Sequence, residues 1–155
     1  MLKLFFVLFT AIAFNSSAQQ KRCRVVLFQT ATEAKNKEGI PIKGIRQSNK
    51  TDSIMIQTAD KKVKWLANES IWGFRDGYCT VYRNVHKEFL KIENEKDSVI
   101  IYSRQSKGFK GRLITGYYFS KGFDAPVYRV DQKNIHEQLG DDPDISMWVE
   151  RKYGN

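Results

Sequence analysis

Histidine, cysteine and proline are all scarce in this chain of 155 residues, and each scarcity narrows the chemistry it can perform. The two histidines, His86 and His136, stand far apart, with no His-Glu-x-x-His pattern and no Cys-x-x-Cys pair, so the clustered ligands of a zinc site are missing. The acidic run Asp141-Asp142-Pro143-Asp144 lacks the central glycine and distal Glu of a calcium loop, and helix capping accounts for it better. A Gly-x-Ser-x-Gly elbow and a glycine-rich phosphate loop are both absent. The reading is therefore of a protein without metal, cofactor or catalytic residues that the sequence identifies.

Long apolar runs are missing too. The longest, residues 4–14, falls short of the roughly 18 or more residues that a spanning helix needs. It follows Met1-Leu2-Lys3 and leads into Ser16-Ser17-Ala18 ahead of Gln19-Gln20-Lys21-Arg22, which is the pattern of a secretory signal peptide cleaved after Ala18. Residues 1–18 are thus expected to be the signal and residues 19–155 one domain, with no transmembrane segment after cleavage. Lys21 and Arg22, in place of small apolar residues before Cys23, argue against a lipoprotein. The expected location is the periplasm or the exterior, in soluble form.

Positive charge is in excess. The formal net charge is +9, and removing Lys3 with the signal leaves it at +8. An exported protein of that charge meets anionic glycans, lipid headgroups and envelope polymers before nucleic acid, which is not an expected partner. The alternative is that the charge serves solubility alone, since both signs are interspersed. The two cysteines, Cys23 and Cys79, admit a disulfide in an oxidising compartment, which would close a loop of about 57 residues, or two separate thiols.

What is abundant is β character. Aromatic and β-branched residues cluster in short extended runs at residues 24–29, 40–45, 53–58, 63–67, 71–76, 80–83, 88–93, 98–103, 113–121 and 125–130. Pro41 assigns the second run to a sheet edge. The densest stretch, residues 69–84, reads as a hairpin turning at Asp76-Gly77, with Trp72 and Phe74 on one face of its first strand. Trp65, Trp72, Phe74 and Tyr82 are expected in the core. Arg75 and Arg83 beside those rings either stack on them or pair with Asp76, a structural role, or present guanidinium groups to an anion. Towards the end the pattern turns helical. Asp131 caps a helix that stops at Gly140, and Asp142-Pro143 opens a second with Ile145, Trp148 and Val149 on one face. The fold class expected is mainly β: an antiparallel meander or small, partly open barrel of about eight or nine strands with two short C-terminal helices.

Two further stretches stand out. Residues 51–58 resemble residues 96–103, which reads either as a duplicated β unit or as the recurrence of short strand-turn patterns. Residues 106–112 surround the lone Phe109 with Lys107, Lys110 and Arg112 and with two glycines, which predicts a mobile loop and a contact to an anionic, partly apolar partner; the alternative has Phe109 folded back over the core.

At Ile71-Trp72-Gly73-Phe74-Arg75-Asp76, with Tyr82-Arg83 and Tyr118-Phe119-Ser120 downstream, the chain resembles small exported proteins of uncharacterised function from Bacteroidota-type bacteria, and the signal ending Ser-Ala-Gln-Gln is similar to theirs. Cys79 and the spacing from Gly77 to Tyr82 depart from the usual pattern. The resemblance implies source and compartment, and no activity. The leading functional reading is a non-catalytic exported module that binds an envelope component, a partner protein, or an anionic glycan or glycolipid. The alternative is a small hydrolase of envelope polymers that pairs carboxylates from among Glu69, Asp76, Glu88 and Asp97.

Overall fold

Strand β1 (Val26–Phe28) carries apolar side chains on both faces and sits where two meanders join. The first meander runs through β2 (Ile40–Gln47), β3 (Ser53–Thr58) and β4 (Val63–Ala67). The second runs through β5 (Gly73–Arg75), β6 (Val81–Val85), β7 (Glu88–Lys96), β8 (Val99–Lys107), β9 (Leu113–Lys121) and β10 (Tyr128–Arg129). Pairing of β1 with β5 makes one open antiparallel sheet in the order β10-β9-β8-β7-β6-β5-β1-β2-β3-β4, in which β2, expected at an edge because of Pro41, lies instead between β1 and β3. These are the ten strands of the computed structural model, which describes residues 22–47 and 52–154. The signal peptide expected at residues 1–18 lies outside the described residues. So does Thr51, the first residue of the earlier of the two similar segments. Their surroundings differ: β9, which carries Gly116, is paired with β8, whereas β5, which carries Gly73, is not paired with β3.

Turns set the registers. The β6–β7 and β7–β8 connections each place two consecutive residues at positive φ, His86-Lys87 and Asp97-Ser98, the backbone that matches the twist of paired strands. The β5–β6 turn differs from the expected Asp76-Gly77 pair. Asp76 Oδ1 accepts from the N–H groups of Tyr78 and Thr80 at 2.8 and 2.9 Å, and the left-handed residue is Cys79, at φ 70°. A side-chain acceptor two residues back thus shapes a longer loop than a two-residue turn. Cys79 at that loop is bridged to Cys23, with Cα atoms 5.0 Å apart. The Cys23 N–H donates to the Gly77 carbonyl at 2.9 Å, so the start of the described chain is tied to the hairpin.

Alternation along β1 divides the core. Leu27 packs with Ile42, Ile54, Ile56 and Ile71, and with Phe74 and Phe89 against them. Phe89 of β7 packs against this same cluster, and the Gln47 amide of β2 donates to the Lys87 carbonyl, which ties the end of β2 to the β6–β7 turn. Val26 and Phe28, on the other face, pack with Ala34 of α1 (Ala31–Asn36), a helix closed by a Thr30–Glu33 capping box. At the far end, α2 (Gln132–Leu139) and α3 (Pro143–Tyr153) cover Val99, Ile101 and Phe119. Their caps are the expected ones: Asp131 accepts from the Asn134 N–H, Asp142 from the Ile145 N–H, and Pro143 stands in the first turn.

Two core assignments change. Trp65 is 61% exposed, because β4 is an edge strand and Trp65 lies opposite Met55 on the side away from buried Ile54 and Ile56. Trp72 and Phe74 do not share a face. Phe74 packs with Leu27, whereas Trp72 packs against Val26 and Phe28, which alternation places on the opposite side of β1. Regular alternation fails at Gly73, where a Cβ would stand 2.0 Å from the Tyr82 carbonyl oxygen; only glycine allows that approach. Phe74 and Tyr82 stack at 4.8 Å and are half-buried rather than sealed.

Candidate functional site

A hollow opens where β7 and β8 diverge. A row of cross-strand neighbours, Tyr82, Lys91 and Ser103, lies along one face of β6, β7 and β8. Together with Gln47, Lys87, Glu88, Phe89, Glu93, Arg104 and Gln105 these residues line a groove of about 840 Å³. The groove lies between two sealed regions of the same face, the cluster around Leu27 and the cluster under α2 and α3.

Its charges are paired. Lys91 Nζ donates to Glu93 at 2.9 Å, Ser103 donates to the other Glu93 oxygen, and Arg104 pairs with Glu88. Burial pushes the Glu93 carboxyl up, but the hydrogen bonds from Ser103 and Lys91 outweigh it and hold the group below its ordinary range. Lys91 is raised, first by its hydrogen bond to Glu93. Tyr82 is raised by burial and then by the negative charge of Asp76. Three perturbed groups in one hollow mark it as the place where side-chain chemistry is tuned.

Of the four carboxylates considered for hydrolysis, Glu88 lines this groove. Glu69 lines a separate hollow with Asn84 and His86, Asp76 shapes the β5–β6 loop, and Asp97 turns β7 into β8. Glu93, which the sequence reading passed over, is the second carboxylate of the groove. Its signal was a break in pattern: Val99 and Ile101 are followed on the same face by Ser103, and Lys91 stands between Leu90 and Ile92, so polar residues interrupt apolar ones where the face leaves the core.

Beyond the groove, β8 and β9 continue as a projecting hairpin. Its tip is a closed turn, not the expected loose loop. Gly108 N–H donates to the Arg112 carbonyl at 2.7 Å and Gly111 N–H to the Gly108 carbonyl at 3.1 Å, around a short 3-10 turn at Phe109–Gly111. Lys110 and Gly111 take positive φ there. Phe109 does not fold back: it is 86% exposed, and Leu113 and Ile114 beside it are 61% and 54% exposed. Lys107, Lys110 and Arg112 belong to the same segment, and Lys110 Nζ lies 5.5 Å from the Phe109 ring centre.

The two arginines separate. Arg83 is buried and donates to the Tyr102 and Ser120 hydroxyls and to the Ala125 carbonyl, while lying over the Trp72 and Tyr102 rings. That is the stacking role of the two considered. Arg75 Nε donates to the Arg24 carbonyl. Among the described residues no group of three or more His, Cys, Asp or Glu side chains is placed to hold a metal ion, and no helix is long and apolar enough to cross a membrane. Compared with family models, curated proteins and solved structures, the chain matches none.

Proposed function

We propose that the protein is an exported, non-catalytic module that docks on an anionic envelope surface through the tip of the β8–β9 hairpin, with glycolipid or phospholipid headgroups as its contact. One observation carries the reading: Phe109, Leu113 and Ile114 are all exposed at a closed turn and the strand beside it, a segment that also carries Lys107, Lys110 and Arg112. Apolar groups held in water at a strand tip contribute nothing to the core, and an apolar tip that also carries cations suits an interface that is apolar inside and negatively charged outside. Export is supported by the signal-like N-terminus and by the Cys23–Cys79 bridge, which persists in oxidising compartments.

The paired carboxylates of the groove speak against hydrolysis. A glycosidase needs one carboxyl with a raised pKa to act as an acid, whereas Glu93 is held ionised and Glu88 is paired with Arg104.

Vesicles test the docking. The protein is expected to bind phosphatidylglycerol vesicles, to release them as salt rises, and to ignore pure phosphatidylcholine. At about 1 kcal/mol per cation near such a surface, changing Lys107, Lys110 and Arg112 together to Gln weakens binding about 100-fold. Affinity and salt dependence that survive the triple change would overturn the proposal.

A further inference from the structure

The ladder between β7 and β8 ends at Lys91 opposite Ser103, although β7 begins three residues earlier at Glu88 and β8 runs on to Lys107. β9 stays paired with β8 as far as Lys107 opposite Leu113. Among the described residues, then, β8 has a strand on one side only from Arg104 to Lys107. Across the opening an ion pair between Arg104 and Glu88 stands in place of the ladder.

Alternation identifies the free groups. Gly108 N–H bonds to the Arg112 carbonyl, so hydrogen-bonded pairs between β8 and β9 recur at every second residue: Ser106 with Ile114, and Arg104 with Gly116. The N–H and C=O groups of Gln105 and Lys107 therefore point away from β9, into the opening. The same alternation explains why Tyr117, opposite Ser103, sends its carbonyl away from β8 to the Val130 N–H at 2.9 Å. The side chains along this edge are Arg104, Gln105, Ser106 and Lys107, two cations and no carboxylate.

We infer that the opening accepts an extended, acidic peptide segment of a partner protein, which adds to β8 as a strand by pairing with the backbone of Gln105 and Lys107. Strand addition takes its affinity from main-chain hydrogen bonds and its selectivity from side chains that alternate across the new ladder. Carboxylates on both faces of such a segment meet Lys107 on one side and, on the other, compete with Glu88 for Arg104. A saccharide offers no repeating N–H and C=O groups at strand spacing, so the free backbone edge favours a peptide. The inference is independent of docking by the hairpin tip.

The probe is a capped eight-residue peptide, Glu-Glu-Val-Val-Glu-Glu-Val-Val, which carries carboxylates on both faces of the strand, titrated into the disulfide-bonded protein while amide exchange is followed by NMR. Strand addition slows exchange of the Gln105 and Lys107 amides by about tenfold or more and leaves the Arg104 and Ser106 amides, already bonded to β9, unchanged. Gln105→Ala keeps the N–H and binds as the parent does. Gln105→Pro removes it and loses the peptide, while binding to anionic vesicles persists. If the proline variant does not fold, the alternating exchange pattern in the parent decides alone. Peptide binding without that pattern, no binding at all, or an acidic hexasaccharide that engages Arg104 where the peptide does not, would each overturn the inference.

Discussion

Arg83 and Tyr102 meet inside the sheet: the guanidinium donates from Nη1 to the tyrosine hydroxyl at 3.0 Å, and its central carbon lies 5.7 Å from the centre of the same ring. Among the described residues no carboxylate pairs with Arg83, so its charge rests on hydroxyls, a carbonyl and two aromatic faces. Arg83→Ala removes the donor to the Tyr102 and Ser120 hydroxyls, which keep their bond to each other, and to the Ala125 carbonyl, and opens a void; it is expected to destabilise the protein by about 3 kcal/mol. Arg83→Lys keeps the charge but cannot reproduce the planar fork, and is expected to cost about 2 kcal/mol. Denaturant titration of both variants measures this; midpoints equal to the parent's would contradict the structural role.

The two tryptophans separate burial from exposure. Trp72 donates its ring N–H to the Phe123 carbonyl at 2.9 Å and packs edge-on to Phe28, so Trp72→Ala should cost about 3 kcal/mol or more. Trp65→Ala, at an exposed edge-strand site, should stay within about 0.5 kcal/mol. Melting temperatures of the pair give the comparison, and equal losses would contradict the placement of Trp65.

Much of this architecture was legible in the sequence. Apolar and β-branched runs gave the strands, and Asp131, Asp142 and Pro143 gave the helix starts, because these are local signals. Trp65 was misassigned because an aromatic residue in a strand carries no mark of whether that strand is central or at an edge. Trp72 was put on the wrong face because the break in alternation at Gly73 arises from contact with the Tyr82 backbone, which neighbouring residues do not encode. The groove was missed for the same kind of reason. Lys91, Glu93, Ser103 and Arg104 converge only through pairing of β7 with β8, and the divergence that opens the groove is a property of the sheet.

The Cys23–Cys79 bridge gives a redox prediction. Mass spectrometry of the unreduced protein should find neither cysteine open to alkylation, and reduction should lower stability by about 4 kcal/mol in the chain-entropy model. Free thiols under denaturing, non-reducing conditions would contradict the bridge.

Glu93 gives a pH prediction. Its pKa is depressed in the folded state below the ordinary 4.5, so its contribution to stability is present above the unfolded value and lost as pH falls through the folded one. The stability difference between the parent and Glu93→Gln should therefore be level near neutrality and shrink under acid. A difference that grows as pH falls would show that the carboxyl is held protonated, which would restore the case for an acid catalyst.

Docking by the hairpin tip is tested most directly by where Phe109 goes. In a Phe109→Trp variant, corrected for the emission of the parent's own tryptophans, addition of phosphatidylglycerol vesicles should shift the new fluorescence to the blue and shield it from an aqueous quencher, while phosphatidylcholine vesicles leave it unchanged. Emission at position 109 that stays solvent-like and fully quenchable while the protein is bound to the vesicles would contradict the account.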